Sequence, residues 1–489
     1  MLRNVKDLFL FLDNNSKKKL YIFQIYILFA SFFEIFSFAS IIPFISIISN
    51  NDLIFSNQYL YFFYQYFQFN SKIDFIFYFG IFTIFSVLFS NLVLAISTYY
   101  TAYISYHIGL GFSHKLYDYY INQNYLFHIN NDNSHLIAKI TTESLRLSNQ
   151  VIMPLLISNS KLFVIILLVT PLLFYDFVTT SLIFFIISIT YFLFFYFLRK
   201  ILSKVGKSVT DLNLRWFKEV KESLGGIKEL ILLSRIKRYS QKVKKINKNI
   251  AKDSTLLSLL SFSPKYIVES VALIIIITII LVLFFIYQDF KYLIPYLAFI
   301  AVFAYKFLPN AQIIYFSVSK IKANIEAFIN LRQDLYNSSF KIKIDDQKKD
   351  FSFKNEIILK SVYFDINNKN KNIPILDNIN LKLYKNSINA LVGASGSGKT
   401  SILNIITGLV EPTKGEILID NKNFKNLCNA YWQKKIGYVP QKLFLVNDTI
   451  KANVCLGLND NEIDIFKLKN SLKLADLNEF LSDDDLGIY

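Results

Sequence analysis

The chain has 489 residues, of which 53% are hydrophobic, with a mean hydropathy of +0.37 and a formal net charge of +17. That is too apolar for an ordinary soluble protein of this length, and long enough for two or three domains. Cys428 and Cys455 both lie in the polar C-terminal part without metal-ligand spacing, which argues against a disulfide or zinc scaffold.

From the N-terminus, residues 1–19 carry Arg3, Lys6, Lys17, Lys18 and Lys19 but no small-residue cleavage site after a short apolar core. They do not read as a cleaved signal peptide. Six apolar stretches follow at residues 20–48, 75–100, 155–174, 177–198, 266–287 and 292–316. Each is near the roughly 20 residues that a membrane helix needs. The segments between them sort by charge. Residues 50–74 hold a single lysine, Lys72, whereas 101–154 hold Lys115, Lys139 and Arg146, and 199–265 are crowded with Lys and Arg. Excess Lys and Arg marks the cytoplasmic side, so both termini and the two long loops are expected inside. The charge of +17 is thereby assigned to membrane topology rather than to nucleic acid.

Both long inner loops mix apolar and charged residues at helical intervals, with Pro154 and Pro264 only at their membrane ends. Membrane helices that continue into the cytoplasm are expected, with cross-pieces at 125–131 and 223–230. Two ordinary loops are the plainer alternative. The outer segment 57–70 is rich in aromatics and glutamines and too short to span. It reads as an interfacial helix or as a loop resting on the membrane. His107, His114, His128 and His135 recur at intervals of seven or fourteen in the first inner loop, which is not a metal-ligand spacing.

Ionisable residues inside apolar runs cost about 2.5–3.5 kcal/mol each on insertion scales and therefore face a partner or a watery cavity. Glu34, Lys161, Lys265, Glu269 and Lys306 are of this kind. For Glu34, a structural hydrogen bond and a role in transport are both open. Lys161 and Lys265 lie near helix ends, where a lysine can snorkel to the interface. Lys306 lies deeper, with Glu34 or Glu269 as its plain ion-pair partner.

After residue 317 the chain turns polar. A helix is expected to about residue 336, then a charged linker over 337–350. Short apolar runs follow at 356–359, 361–366, 379–383, 388–392, 416–419 and 436–439. The run at 388–392 leads into Gly393-Ala394-Ser395-Gly396-Ser397-Gly398-Lys399-Thr400-Ser401, and a helix-like run, 401–409, comes after it. This fits G-x-x-x-x-G-K-[ST], in which glycines let backbone N–H groups curl around phosphates at a helix's positive end. Lys399 can reach the β- and γ-phosphates, and the Thr400 hydroxyl can ligate Mg²⁺. The expected fold is a membrane α-helical domain over 1–320, a linker over 321–350, and an α/β phosphate-loop domain over 351–489.

Taken together, these features resemble a half-transporter of the ABC exporter family. Further motifs carry the resemblance: Ile436-Gly437-Tyr438-Val439-Pro440-Gln441, similar to the Q-loop, and Glu411-Pro412-Thr413-Lys414-Gly415-Glu416-Ile417. The resemblance implies ATP and Mg²⁺ as cofactors, with Gly393, Ser395, Gly396, Ser397, Gly398, Lys399, Thr400 and Ser401 around ATP. It places Gln441 with Thr400 on the metal, and it makes the two cross-pieces coupling helices. It further implies a homodimer in a bacterial inner membrane. Within the family, three stretches look like bacterial flippases of lipid-linked oligosaccharides. They are Glu34-Ile35-Phe36 to Ile42-Pro43-Phe44, Leu224-Gly225-Gly226-Ile227-Lys228-Glu229, and Lys306-Phe307-Leu308-Pro309. That implies a lipid-linked glycan as cargo, basic cavity residues at Lys265 and Lys306, and contact of the outer helix with a polyprenyl tail. An exporter of another lipid or of a peptide is the alternative.

Two departures qualify the resemblance. The adenine-stacking aromatic is replaced by Ile366, and Tyr363 points to the other strand face. No stretch similar to L-S-G-G-Q, no apolar strand ending in Asp-Glu and no switch histidine occurs up to Tyr489. The chain therefore looks truncated within its nucleotide domain, and no residue in it is assigned as catalytic. Phosphoryl transfer rests on positioned charges, so the sequence supports ATP binding, and loss of these parts is expected to abolish efficient hydrolysis by this chain. A non-catalytic membrane protein and a split transporter remain as alternative readings.

Overall fold

Helices dominate the first 338 residues of the computed structural model, and a small antiparallel sheet follows. The structure describes all residues except 1, 50, 176, 288–289, 339–352, 369–370, 425–428, 442 and 478–489, and a further few, mainly 290–302, in backbone only. Of the expected linker over 321–350, residues 321–338 are helical and 339–350 fall outside the described residues, as does Cys428. Two compact units emerge, Met1–Lys343 and Ile344–Tyr489.

The first unit opens with a helix that the apolar runs do not announce, α1 (Leu2–Leu10). The first apolar stretch is two helices, α2 (Asn14–Ala39) and α3 (Ile41–Ser49). The break at Ser40 has a local cause. Pro43 has no N–H for the Ala39 carbonyl, and its ring crowds that carbonyl. Short helices α4 (Leu53–Ser56) and α5 (Gln58–Tyr66) cross the outer segment. The Asn57 side chain starts α5 by accepting from the N–H groups of Tyr59 and Leu60, at 3.0 and 3.3 Å. Of the two readings of this segment, the helix is what forms.

Helix α6 (Lys72–Ile121) has 50 residues. At 1.5 Å per residue it is about 75 Å long, far more than the about 30 Å of a bilayer's hydrocarbon core. The expected continuation of membrane helices beyond the bilayer is therefore observed. The inner tip holds α7 (Tyr125–Asn130) and α8 (Asn133–Ala138). The return path contains α9 (Ser144–Leu147), flanked by wider-wound turns at Lys139–Glu143 and Ser148–Ile152, and then α10 (Met153–Tyr175). Helix α11 (Phe177–Gly225) leads to α12 (Ile227–Leu232), and α13 (Ile236–Tyr287) and α14 (Phe290–Ser338) complete the unit. The first cross-piece lies where the sequence put it. The second is shifted: α11 continues through Gly225, so the cross-piece begins at Ile227 rather than residue 223. Among the described residues, five helices are long and apolar enough to cross a membrane. The sixth expected span falls in α14, where the side chains of 290–302 are outside the described residues.

Among the described residues, three apolar clusters fasten this unit, one of them small, around Ile47, Ile54 and Phe75. Towards the inner side, Leu8, Ile27, Phe112, Leu147, Phe328 and Leu331 join α1, α2, α6, α9 and α14. Further along the helices, Leu168, Ile187, Val268, Phe303 and Phe307 join α10, α11, α13 and α14. Helices α11 and α14 meet closely at Gly206, where a Cβ would lie 1.8 Å from the Ala323 carbonyl oxygen.

In the second unit, β1 (Glu356–Asn368) and β2 (Lys371–Tyr384) form a long hairpin. The expected strands 356–359 and 361–366 are one strand interrupted by bulges around Ser361. Helix α15 (Lys399–Ile406) is followed by β3 (Lys414–Ile419) and β4 (Lys422–Asn423). The sheet is antiparallel in the order β2-β1-β3-β4. Short helices α16 (Asn429–Gln433), α17 (Ile450–Val454) and α18 (Ile465–Leu474) follow. The expected strands at 388–392 and 436–439 do not join this sheet. A strand needs a neighbour that exchanges N–H and C=O bonds with it, and the antiparallel sheet supplies none to these runs. Ile388 and Val392 accordingly stay almost fully exposed, at 102% and 94%.

Candidate functional sites

The phosphate loop leaves the extended run 388–392 and ends at the first residue of α15. Gly398 sits just before that helix with φ +87°, a conformation open to glycine and strained for other residues. Lys399 folds back across the loop. Its Nζ donates to the Gly393 and Ala394 carbonyl oxygens, each at 2.7 Å, and lies 3.4 Å from the Ser397 hydroxyl. The lysine therefore closes the loop on itself and holds a positive charge at its centre.

Whether the loop suits a polyphosphate can be judged from its unspent donors. Among the described residues, the N–H groups of Gly398, Lys399 and Thr400 find no acceptor, and neither does the Thr400 hydroxyl. Helix α15 has no acidic residue in its first turn to neutralise its positive end. A polyphosphate with a divalent cation matches this donor set. Gly393, Ser395, Gly396 and Ser397 are exposed along the loop, and Ser401 is half-buried behind it. Gln441 lies in a separate exposed turn, with no hydrogen bond to the loop among the described residues. The backbone at Ile366 is in β1, but its side chain is outside the described residues. Tyr363 is half-buried between the buried Val362 and Phe364.

A second constellation lies in the membrane unit. Glu34 on α2 is buried, with its side chain 5% exposed. Its Oε2 is 3.2 Å from Lys161 Nζ on α10, and its Oε1 is 3.6 Å from Lys306 Nζ on α14. Lys306 therefore has the partner that the sequence named as one of two. Lys161 faces inward, which replaces the snorkelling expected of it. Lys306 Nζ also lies 5.7 Å from the centroid of the Phe38 ring. Lys265 stands apart and pairs with Glu269 one turn along α13, at 3.7 Å.

The third feature is a cavity of about 1100 Å³ where α2, α3, α5 and α6 meet. Phe36, Phe63, Phe67, Phe75, Phe79 and Phe82 are among its lining residues. No sequence signal identified it, because its walls come from segments far apart in the chain, such as those of Phe36 and Phe82. The histidines are dispersed: His107 packs edge-on against Tyr103 and His114 faces Asp118 at 3.5 Å. Cys455 is a free thiol.

Comparison with known proteins agrees with this geometry. The family described as "ABC transporter" matches residues 376–485. An ATP-dependent lipid A-core flippase of Ralstonia nicotianae is 40% identical over 105 residues, 21% of this chain and 18% of that protein. A putative multidrug export ATP-binding/permease protein of Staphylococcus aureus is 36% identical over 111 residues, 22% of this chain and 18% of that protein. The matched stretch thus spans about a fifth of the length of these relatives. The solved structure of a bacterial Atm1-family ABC exporter with ATP bound superposes with a TM-score of 0.73 at 12% identity, covering 97% of this chain and 80% of that one. At that identity the likeness speaks for the fold. Residues 376–485 therefore match the ABC transporter family in sequence, on a chain whose fold is similar to that of the solved exporter.

Proposed function

We propose that the chain takes part in ATP-driven movement of an amphipathic lipid across a bacterial inner membrane, working as a homodimer with both termini in the cytoplasm. The cargo we favour is a lipid-linked oligosaccharide or a related glycolipid. The observation that carries the reading is a phosphate loop with unspent donors on a chain whose membrane unit has the exporter fold.

In this reading Lys399 and the free N–H groups of 398–400 bind and orient the phosphates of ATP, and Thr400 and Gln441 hold Mg²⁺. Bound ATP supplies the phosphoryl bond whose cleavage drives transport. Lys399 must exchange its two carbonyl partners for phosphate oxygens, so the loop opens as it fills. In the membrane unit, the aromatic cavity suits an apolar chain. Lys306, with Glu34 and Lys265, suits an anionic headgroup. A cargo of another lipid or a peptide is the second reading, favoured by relatives named for lipid A and for multidrug export.

Two measurements test the proposal on the purified chain in nanodiscs. Binding of a fluorescent ATP analogue with Mg²⁺ should weaken by about tenfold or more in Lys399→Ala, as expected on losing a charge-assisted contact. Equal binding by the variant would overturn the nucleotide assignment. Co-purified or added lipid-linked oligosaccharide should be retained in preference to lipid A precursors and apolar peptides. Preference for either competitor would move the assignment to the second reading, and retention of none would overturn the cargo class.

A further inference from the structure

We infer that Glu34 is a resident counter-ion that an anionic cargo group displaces from Lys161 and Lys306. This rests on the transport reading above and adds to it a regulatory element within the membrane unit. Three observations carry it.

The first is the charge balance. One carboxylate lies between two ammonium groups, each oxygen serving one of them, at 3.2 and 3.6 Å. Among the described residues no second carboxylate lies within 4.0 Å of either lysine. With all three groups charged, the cluster carries one surplus positive charge in the apolar part of the unit. Surroundings of low polarity favour a further anion at such a place.

The second is accessibility. The Glu34 side chain is 5% exposed, whereas Lys161 and Lys306 are 19% and 25% exposed. The glutamate is the most buried of the three side chains, and both lysine side chains keep some exposed surface. An anion arriving there meets both lysines and competes with Glu34 for them.

The third is connectivity. Glu34 is on α2, Lys161 on α10 and Lys306 on α14, so the same two contacts clamp three helices. When a phosphate takes the ammonium groups, both links to α2 weaken together. A charged headgroup would thus be read as a loosening of α2, which an uncharged lipid cannot produce. By contrast, the pair Lys265–Glu269 lies within one helix and clamps nothing.

The experiment uses phosphatidic acid and diacylglycerol with the same acyl chains as probes. Retention of each by the full chain is counted by native mass spectrometry, and thermal melting monitors folding. Wild type should retain phosphatidic acid over diacylglycerol. Lys306→Gln and Lys161→Gln should lower that preference, and Glu34→Gln should raise it by about fivefold, the scale of one unit charge near a membrane. Should Glu34→Gln fail to fold, Glu34→Asp shortens the carboxylate's reach and should raise the preference to a smaller extent. A merely structural cluster gives the opposite sign: the Glu34 variants melt earlier and retain no more phosphatidic acid than wild type, which would overturn the inference while leaving the transport reading intact. If wild type shows no preference for phosphatidic acid, the anionic-headgroup reading falls with it.

Discussion

Single atoms decide some of this fold. At Gly206 there is no room for a side chain, because a Cβ would lie 1.8 Å from the Ala323 carbonyl oxygen. Gly206→Ala must push α11 from α14 and should destabilise the membrane unit by about 1–3 kcal/mol, the usual cost of overpacking. A lower thermal midpoint, with helix content unchanged at room temperature, checks it. An unchanged midpoint would mean that the two helices tolerate separation there. Lys399 in the phosphate loop separates what is local from what is not. Its place in the motif was legible, since the motif is a contiguous string. Its bonds to Gly393 and Ala394 were not, since the backbone path sets them.

Helices and strands differ in how far local sequence specifies them. Helix α8 starts at Asp132, whose carboxylate accepts from the Ser134 N–H at 3.0 Å and pairs with Lys221 at 3.0 Å. The Lys221 ammonium, helped by the Ser134 N–H, lowers the Asp132 pKa from its ordinary 3.8 to about 2. A carboxyl with a depressed folded pKa stabilises above its unfolded value and loses that effect as pH falls through the folded one. The link between α8 and α11 should therefore be intact above pH 3.8 and lost towards pH 2. Melting curves taken across that window should flatten in Asp132→Asn; identical acid slopes would remove Asp132 from the account. The run 388–392 behaves differently. It has strand-like composition but no ladder, and Ile388 and Val392 are exposed. Its amides should exchange with deuterium far faster than those of 357–359, which pair on both sides with β2 and β3. Comparable protection of the two segments would show that the run is paired in solution.

At the scale of the molecule, topology follows from where Lys and Arg fall. If both termini are inside, as proposed, a cysteine placed by Gln65→Cys in α5 should react with an impermeant thiol reagent on intact cells, and one placed by Lys228→Cys in α12 only after permeabilisation. The background for both is a chain with Cys428 and Cys455 replaced by serine. The reverse pattern would invert the topology. The sequence alone determined the apolar spans, their continuation into long inner helices, the first cross-piece and the phosphate loop. All of these are written in contiguous residues, through hydrophobic run length, helical spacing and a local motif. Tertiary structure decided the shift of the second cross-piece, the aromatic cavity, and the pairing of Glu34 with both Lys161 and Lys306. It also decided that 388–392 stays outside the sheet. These depend on which distant segments lie alongside one another. A buried charge shows in a sequence as a cost, and only the packing of three helices shows what offsets it.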